Sequence, residues 1–94
     1  MKDIRFEWDS SKNKTNIIKH GVSFEEARTV FSDPNALVIH DPDHSASEER
    51  FVILGLSTSL RMLVVCHCYR RNDEVIRIIS ARKATKAETA KYHG

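Results

Sequence analysis

The chain opens on an alternating stretch, Ile4-Arg5-Phe6-Glu7-Trp8, whose period of two predicts a short strand. Asp9, Ser10 or Ser11 can then cap a helix running to about His20, where Gly21 supplies the left-handed residue that commonly ends a helix. On a helical wheel Lys12, Asn16, Lys19 and His20 share one side, with Ile17 and Ile18 opposite. The expectation is a helix with its isoleucines inward and a polar, basic stripe outward, either as a solvated face or as a surface for a ligand. Ser23-Phe24-Glu25-Glu26 is a capping-box signature for a second helix. Phe24, Ala27, Val30 and Phe31 form its apolar face, and Asp33-Pro34 ends it. Only Gly21-Val22 separates the two helices, so they meet in a tight corner.

Four strands follow, over Ala36–His40, Arg50–Ser57, Met62–Tyr69 and Glu74–Ala81. Asp41–Glu49 reads as a polar loop, and Ser57–Leu60 and Arg70–Asp73 read as turns. Thr85 at N-cap and Glu88 at N3 make a second capping box, opening a terminal helix to His93. Consecutive strands joined by short turns give an α+β domain: an antiparallel sheet of four to five strands, packed by two N-terminal helices and one C-terminal helix. Ile17, Ile18, Phe24, Val30 and Phe31 are expected against the sheet, with Leu54, Val64 and Ile78 buried.

A length of 94 residues suits one domain with one core. No apolar run approaches the ~20 residues that span a bilayer, and Met1–Arg5 lacks the apolar stretch of a secretion signal, so the cytoplasm is the expected location. Cys66 and Cys68, two apart on one strand, point to one face and are poorly placed for a disulfide; two buried thiols are expected.

Charge changes the picture more. Residues 1–60 hold seven Lys/Arg against ten Asp/Glu, net −3, and residues 61–94 hold eight against three, net +5. A polyanion would dock on the basic half, where Arg70-Arg71, Arg77 and Arg82-Lys83 group together. Within EVIRIISARKAT, residues 74–85, an apolar strand carries Arg77 at its middle. A guanidinium is costly to bury and shaped to grip phosphate oxygens, although a solvated strand face would also accommodate it. If Arg70 pairs with Glu74 at the hairpin mouth, His67 falls directly across from Arg77, on the side away from Val64, Cys66, Ile76 and Ile78.

Histidine beside arginine suits phosphodiester chemistry. Imidazole can move a proton to or from a 2′-hydroxyl or a leaving 5′ oxygen, and arginine can stabilise charge on the phosphorane oxygens. With a 2′-hydroxyl as nucleophile no metal is required and RNA is the substrate; no cofactor is expected. His40-Asp41-Pro42-Asp43-His44 makes a better turn than a metal cage. The three glycines are scattered, so no phosphate-cradling loop exists, and no nucleophile triad has context.

Three blocks carry a family resemblance: FEWDSSKNKTNIIKHGVSFEEARTVFSDP, DPDHSASEERFVILGLS and IRIISARKAT. In this order, over nearly the whole chain, they resemble BrnT-type toxins of bacterial type II toxin–antitoxin systems. The resemblance implies a RelE-like fold and a ribonuclease that cuts RNA without metal, inhibiting translation and growth. It also implies a BrnA-type antitoxin that covers the basic face, binds operator DNA and forms a hetero-oligomer with the toxin. The candidate catalytic residues are His67, from the last hairpin, with Arg77, Arg82 and His20 from those blocks. Lys19, Lys12, Arg70, Lys83 and Tyr92 are candidates for holding RNA. The competing reading is a non-catalytic module whose basic face only docks a partner or nucleic acid.

Overall fold

A computed structural model describes residues 4–41 and 49–94, with only the backbone described at His40 and Asp41. Part of the expected 41–49 loop, and with it Pro42, Asp43 and His44, lies outside the described residues. The elements are β1 (Arg5–Glu7), α1 (Ser10–His20), α2 (Phe24–Thr29) followed by a 3-10 turn (Val30–Ser32), β2 (Leu37–Asp41), β3 (Arg50–Leu56), β4 (Met62–Arg70), β5 (Val75–Lys83) and α3 (Lys86–His93). The result is an α+β fold with one five-stranded sheet, ordered β1-β5-β4-β3-β2. Strands β2 to β5 form the antiparallel meander, as expected. β1 makes the sheet mixed, because it joins the β5 edge in parallel, with Glu7 opposite Arg77.

The helix ends follow the local chemistry. Asp9 Oδ1 accepts from the amides of Ser11 (2.8 Å) and Lys12 (3.1 Å), and Gly21, at φ +69°, donates its amide to the Ile17 carbonyl. Ser23 Oγ accepts the Glu26 amide, but the Glu26 carboxylate turns away from its own N-cap towards Arg61 and the Ser57 hydroxyl. Arg61 also donates to the Gly21 carbonyl, so one guanidinium ties the helical corner to the β3–β4 turn. The Thr85–Glu88 capping box forms in full.

The core lies between α2 and one sheet face. Val22, Phe24, Ala27 and Val30 pack there on Ile53, Leu63, Val65, Ile78 and Ala81, with Phe31 partly buried against them. Gly55 lets β3 pass close to the 3-10 turn: a Cβ there would stand 2.9 Å from Val30 Cγ1 and 3.0 Å from Ala36 Cβ. Leu54, Val64 and Ile78 are buried, as expected.

Two expectations fail. α1 is turned the other way round: Ile18 is 86% exposed and Ile17 44%, whereas Asn16 is buried at 6%. Asn16 reverses the helix because its amide finds three backbone partners, so burying it leaves no polar group unsatisfied.

The β4–β5 register is the second. Arg70 pairs with Val75, so Cys68 lies opposite Arg77 and His67 opposite Ile78. Beyond His67 the pairing shifts by one residue, Cys66 to Ser80, and Ile79 is the extra residue of a bulge. His67, Ile76 and Ile78 therefore face α2 and the 3-10 turn; Val64 and Cys66 are on the other face, the one that carries α3. Cys68 is buried and Cys66 only partly so, and neither is in a disulfide.

Candidate active site

The bulge sets which β5 side chains share a face. Past Ile79, Ala81 points into the core and Ser80 and Arg82 point to the opposite face, beside their neighbours Cys66 and Val64. There the C-terminal end of α1 and the sheet enclose a cleft of about 310 Å³, lined by His20, Arg50, Cys66, Ser80 and Arg82 among others. A second hollow of about 300 Å³ shares His20, Ile79 and Ser80 and is bordered by Lys12 and Lys19. Lys12 lies two turns before the adjacent Lys19 and His20, on the same side of α1. One imidazole, two ammonium groups and two guanidiniums thus border a continuous depression.

Arg82 is held in place from α3. Its Nη1 and Nη2 donate to Glu88 Oε1 and Oε2, both at 2.8 Å, a two-pronged pairing that fixes the plane of the guanidinium. The pairing raises the Arg82 pKa and draws that of Glu88 down to about 2. Glu88 in turn is placed by the capping box of its own helix. α3 has no buried residue; it is also tied down by the Tyr92 hydroxyl, which donates to Asp33 Oδ2 at 2.6 Å. Burial works against the charge of Asp33, but the Leu56 amide, the Tyr92 hydroxyl and the Asn35 amide together hold its carboxyl below the ordinary value.

Of the residues singled out in the sequence, His20, Lys12, Lys19 and Arg82 come together here. Arg77 lies toward the β1 edge, where Nη1 donates to Glu7 Oε2 at 2.8 Å, and Arg70 Nε stands 3.9 Å from the same oxygen. Lys83 is on the α2 side of β5, where its charge helps lower the Glu26 pKa. Tyr92 serves Asp33.

His67 is not at a rim. Its accessibility is 0%, and Phe31, Phe51 and Tyr69 surround the ring at centroid distances of 4.8, 6.2 and 5.4 Å. Nδ1 lies 3.2 Å from the Val65 carbonyl, to which its N–H donates, and burial lowers the pKa of the ring. The register shift causes this, by giving His67 the parity of Ile78 rather than of Arg77. A ring so enclosed touches no phosphodiester in this conformation.

Arg50 was missed by the sequence reading. It follows a polar run at the start of a strand, and nothing local distinguishes it from a solvated arginine; only the β3–β4 pairing brings it to the cleft. Among the described residues no group of three or more His, Cys, Asp or Glu converges in a way that could hold a metal ion, and no helix is long and apolar enough to cross a membrane.

A mixed five-stranded sheet with its basic cleft beside the first helix defines the class: a small α+β domain of RelE-like fold. The family is narrower. Residues 8–88 match the family described as ribonuclease toxin, BrnT, of type II toxin–antitoxin system, and the chain belongs to that family. Its fold is similar to the crystal structure of the Brucella abortus ribonuclease toxin BrnT, with a TM-score of 0.62 and 26% sequence identity over 92% of this chain and 100% of that one. No curated protein matches the sequence. Membership identifies the chain as a toxin of the ribonuclease class, with RNA as substrate and an antitoxin as partner.

Proposed function

We propose that the chain is a metal-independent endoribonuclease that cleaves RNA at the α1–β5 cleft and thereby blocks translation and growth, until a BrnA-type antitoxin covers that basic face. The observation that carries this reading is the meeting of His20 and Arg82 in one cleft. The 2′ oxygen of the substrate bonds to phosphorus as the bond from phosphorus to the 5′ oxygen breaks. A base takes the 2′ proton, and an acid gives one to the departing oxygen. The products are a 2′,3′-cyclic phosphate and a 5′-hydroxyl. His20 is the group suited to one of these transfers, since imidazole changes charge near neutrality. Arg82 stabilises charge on the non-bridging oxygens, because a guanidinium has five donors and the Glu88 pairing does not use them all. Lys12 and Lys19 lie along α1 where a strand of RNA would continue, and they hold its phosphates without reading its bases.

The test is cleavage of an end-labelled RNA by purified protein with a chelator present. His20→Ala should lose ~10²–10⁴ in rate, as for loss of a general acid or base. Arg82→Ala should lose ~10²–10³, as for loss of one transition-state donor. Retarded migration of intact RNA, with no shortening, would favour the docking module. Products ending in 3′-hydroxyl would overturn the mechanism.

A further inference from the structure

Asn16 is the polar residue that turns α1 over, and its bonds run to the two segments that flank the cleft. Nδ2 donates to the Val22 carbonyl and to the Ala81 carbonyl, both at 2.8 Å, and Oδ1 accepts the Ala81 amide at 3.1 Å. Both amide hydrogens are therefore used. The bracket on Ala81 copies what a neighbouring strand would do. β1 pairs β5 from Val75 to Arg77, and among the described residues no strand lies beside the outer edge of β5 beyond Arg77. There the Asn16 side chain engages both backbone groups of Ala81.

The placement matters for chemistry. Ala81 directly precedes Arg82, and His20 stands one turn beyond Asn16 on the same side of α1. The bond to Val22 also secures the chain immediately after the helix, where Gly21 turns the corner. An apolar residue at position 16 could fill the space. It could not hold α1 at one height along β5, because hydrophobic contact is non-directional and allows the helix to slide.

We propose that Asn16 is a positioning residue for RNA cleavage: its amide locks α1 to Ala81 and so sets where His20 stands relative to Arg82. The proposal rests on the reading of His20 and Arg82 as the reacting pair. Small displacements of reacting groups are costly, so the effect should fall on the chemical step and not on RNA binding. Lys12 and Lys19 still present their charges if the helix shifts slightly.

The experiment is a two-by-two set, Asn16→Leu, His20→Ala, both together and neither, measured as kcat and KM for one RNA oligonucleotide at a temperature where circular dichroism shows each protein folded. Leu63→Ala serves as a control, destabilised through the core alone. Asn16→Leu should lower kcat by ~10–100-fold with KM changed less than about threefold, and Leu63→Ala should leave both near wild type. In the Asn16→Leu background, His20→Ala should cost far less than it does alone, because the imidazole is already misplaced. A normal kcat for folded Asn16→Leu, or strictly additive losses, would overturn the proposal while leaving the site reading intact. Full activity of His20→Ala would overturn the site reading, and the positioning role with it. If Asn16→Leu does not fold, Asn16→Ser, which keeps a single donor, replaces it under the same criteria.

Discussion

Arg82 and Glu88 are six residues apart and joined by two parallel 2.8 Å bonds, one end on β5 and the other in the first turn of α3. The pair fixes the guanidinium at the border of the cleft, and it is what Glu88 loses if it takes up a proton. Its carboxyl titrates at about 2 in the fold against an ordinary 4.5. The folded form thus binds a proton less readily than the unfolded one. The stabilisation is fully present above about pH 4.5 and disappears as pH falls toward 2. Both side chains are partly exposed, so the pair contributes only about 0.2–1 kcal/mol. Urea unfolding of wild type and Glu88→Gln from pH 7 to 2 checks this; the two midpoints should converge in acid.

His67 gives a limb of opposite chemistry at higher pH. Burial depresses its folded pKa below the ordinary 6.5, so the unfolded chain takes up the proton first. Stability is therefore lost as pH falls below about 6.5 and is retained above it. His67→Phe, placed among Phe31, Phe51 and Tyr69, should remove that dependence between pH 8 and 5 and leave RNA cleavage unchanged. A sloping stability profile in the variant, or loss of cleavage, would contradict the reading of His67 as a neutral core residue.

Gly55 tests the packing of β3 on the 3-10 turn. The added methyl of Gly55→Ala would lie 3.2 Å from Asp33 Oδ2 as well as against Val30 and Ala36. An over-packed site of this kind costs ~1–3 kcal/mol. Thermal unfolding should report it, and because Asp33 also receives Tyr92, the attachment of α3 should weaken alongside.

The inverted first helix is tested by a pair of substitutions. Ile18→Ala should change stability by less than ~0.5 kcal/mol, as at an exposed site. Phe24→Ala should cost ~3–5 kcal/mol, because its ring is wholly buried. Comparable losses at the two positions in denaturant titrations would restore the isoleucines to the core.

Arg77 separates two views of the basic half. Its partner is Glu7, and Arg77→Ala should disturb cleavage far less than Arg82→Ala does. Equal losses, with both proteins folded, would extend the site along β5 to the β1 edge.

The contrast between Asn16 and Asp9 shows what the sequence could carry. Asp9, Ser23, Thr85 and Gly21 act within a few residues of themselves, so helix ends were readable from local pattern. Asn16 acts on Ala81, 65 residues away, and a helical wheel has no means of registering that. The same distance effect hid Arg50 and the parallel seat of β1. His67 was misplaced by a single register step, because alternation along β4 does not reveal which residue of β5 lies opposite. Basic character in the C-terminal half was legible, and Arg82 answers to it, but Arg77, Arg70 and Lys83 spend their charge elsewhere. The α1 half of the cleft, Lys12, Lys19 and His20, was visible as a stripe without any sign of what it faces.

The bulge at Ile79 has a consequence for how this strand can change length over generations. Arg77 and Arg82 are an odd number of residues apart, which in an unbroken strand would put them on opposite faces. The supernumerary residue brings them to the same one. A chain that lost Ile79 would pair continuously with β4 and still present Ser80 and Arg82 where they now stand. A chain that lost a residue from the facing stretch of β4 would have no such reserve, and its side chains would change sides. Deletion variants at position 79 and within Val64–Cys66 should therefore part company, the first folding and the second failing. Lineages descending from this sequence can shed a residue from β5 more readily than from its partner.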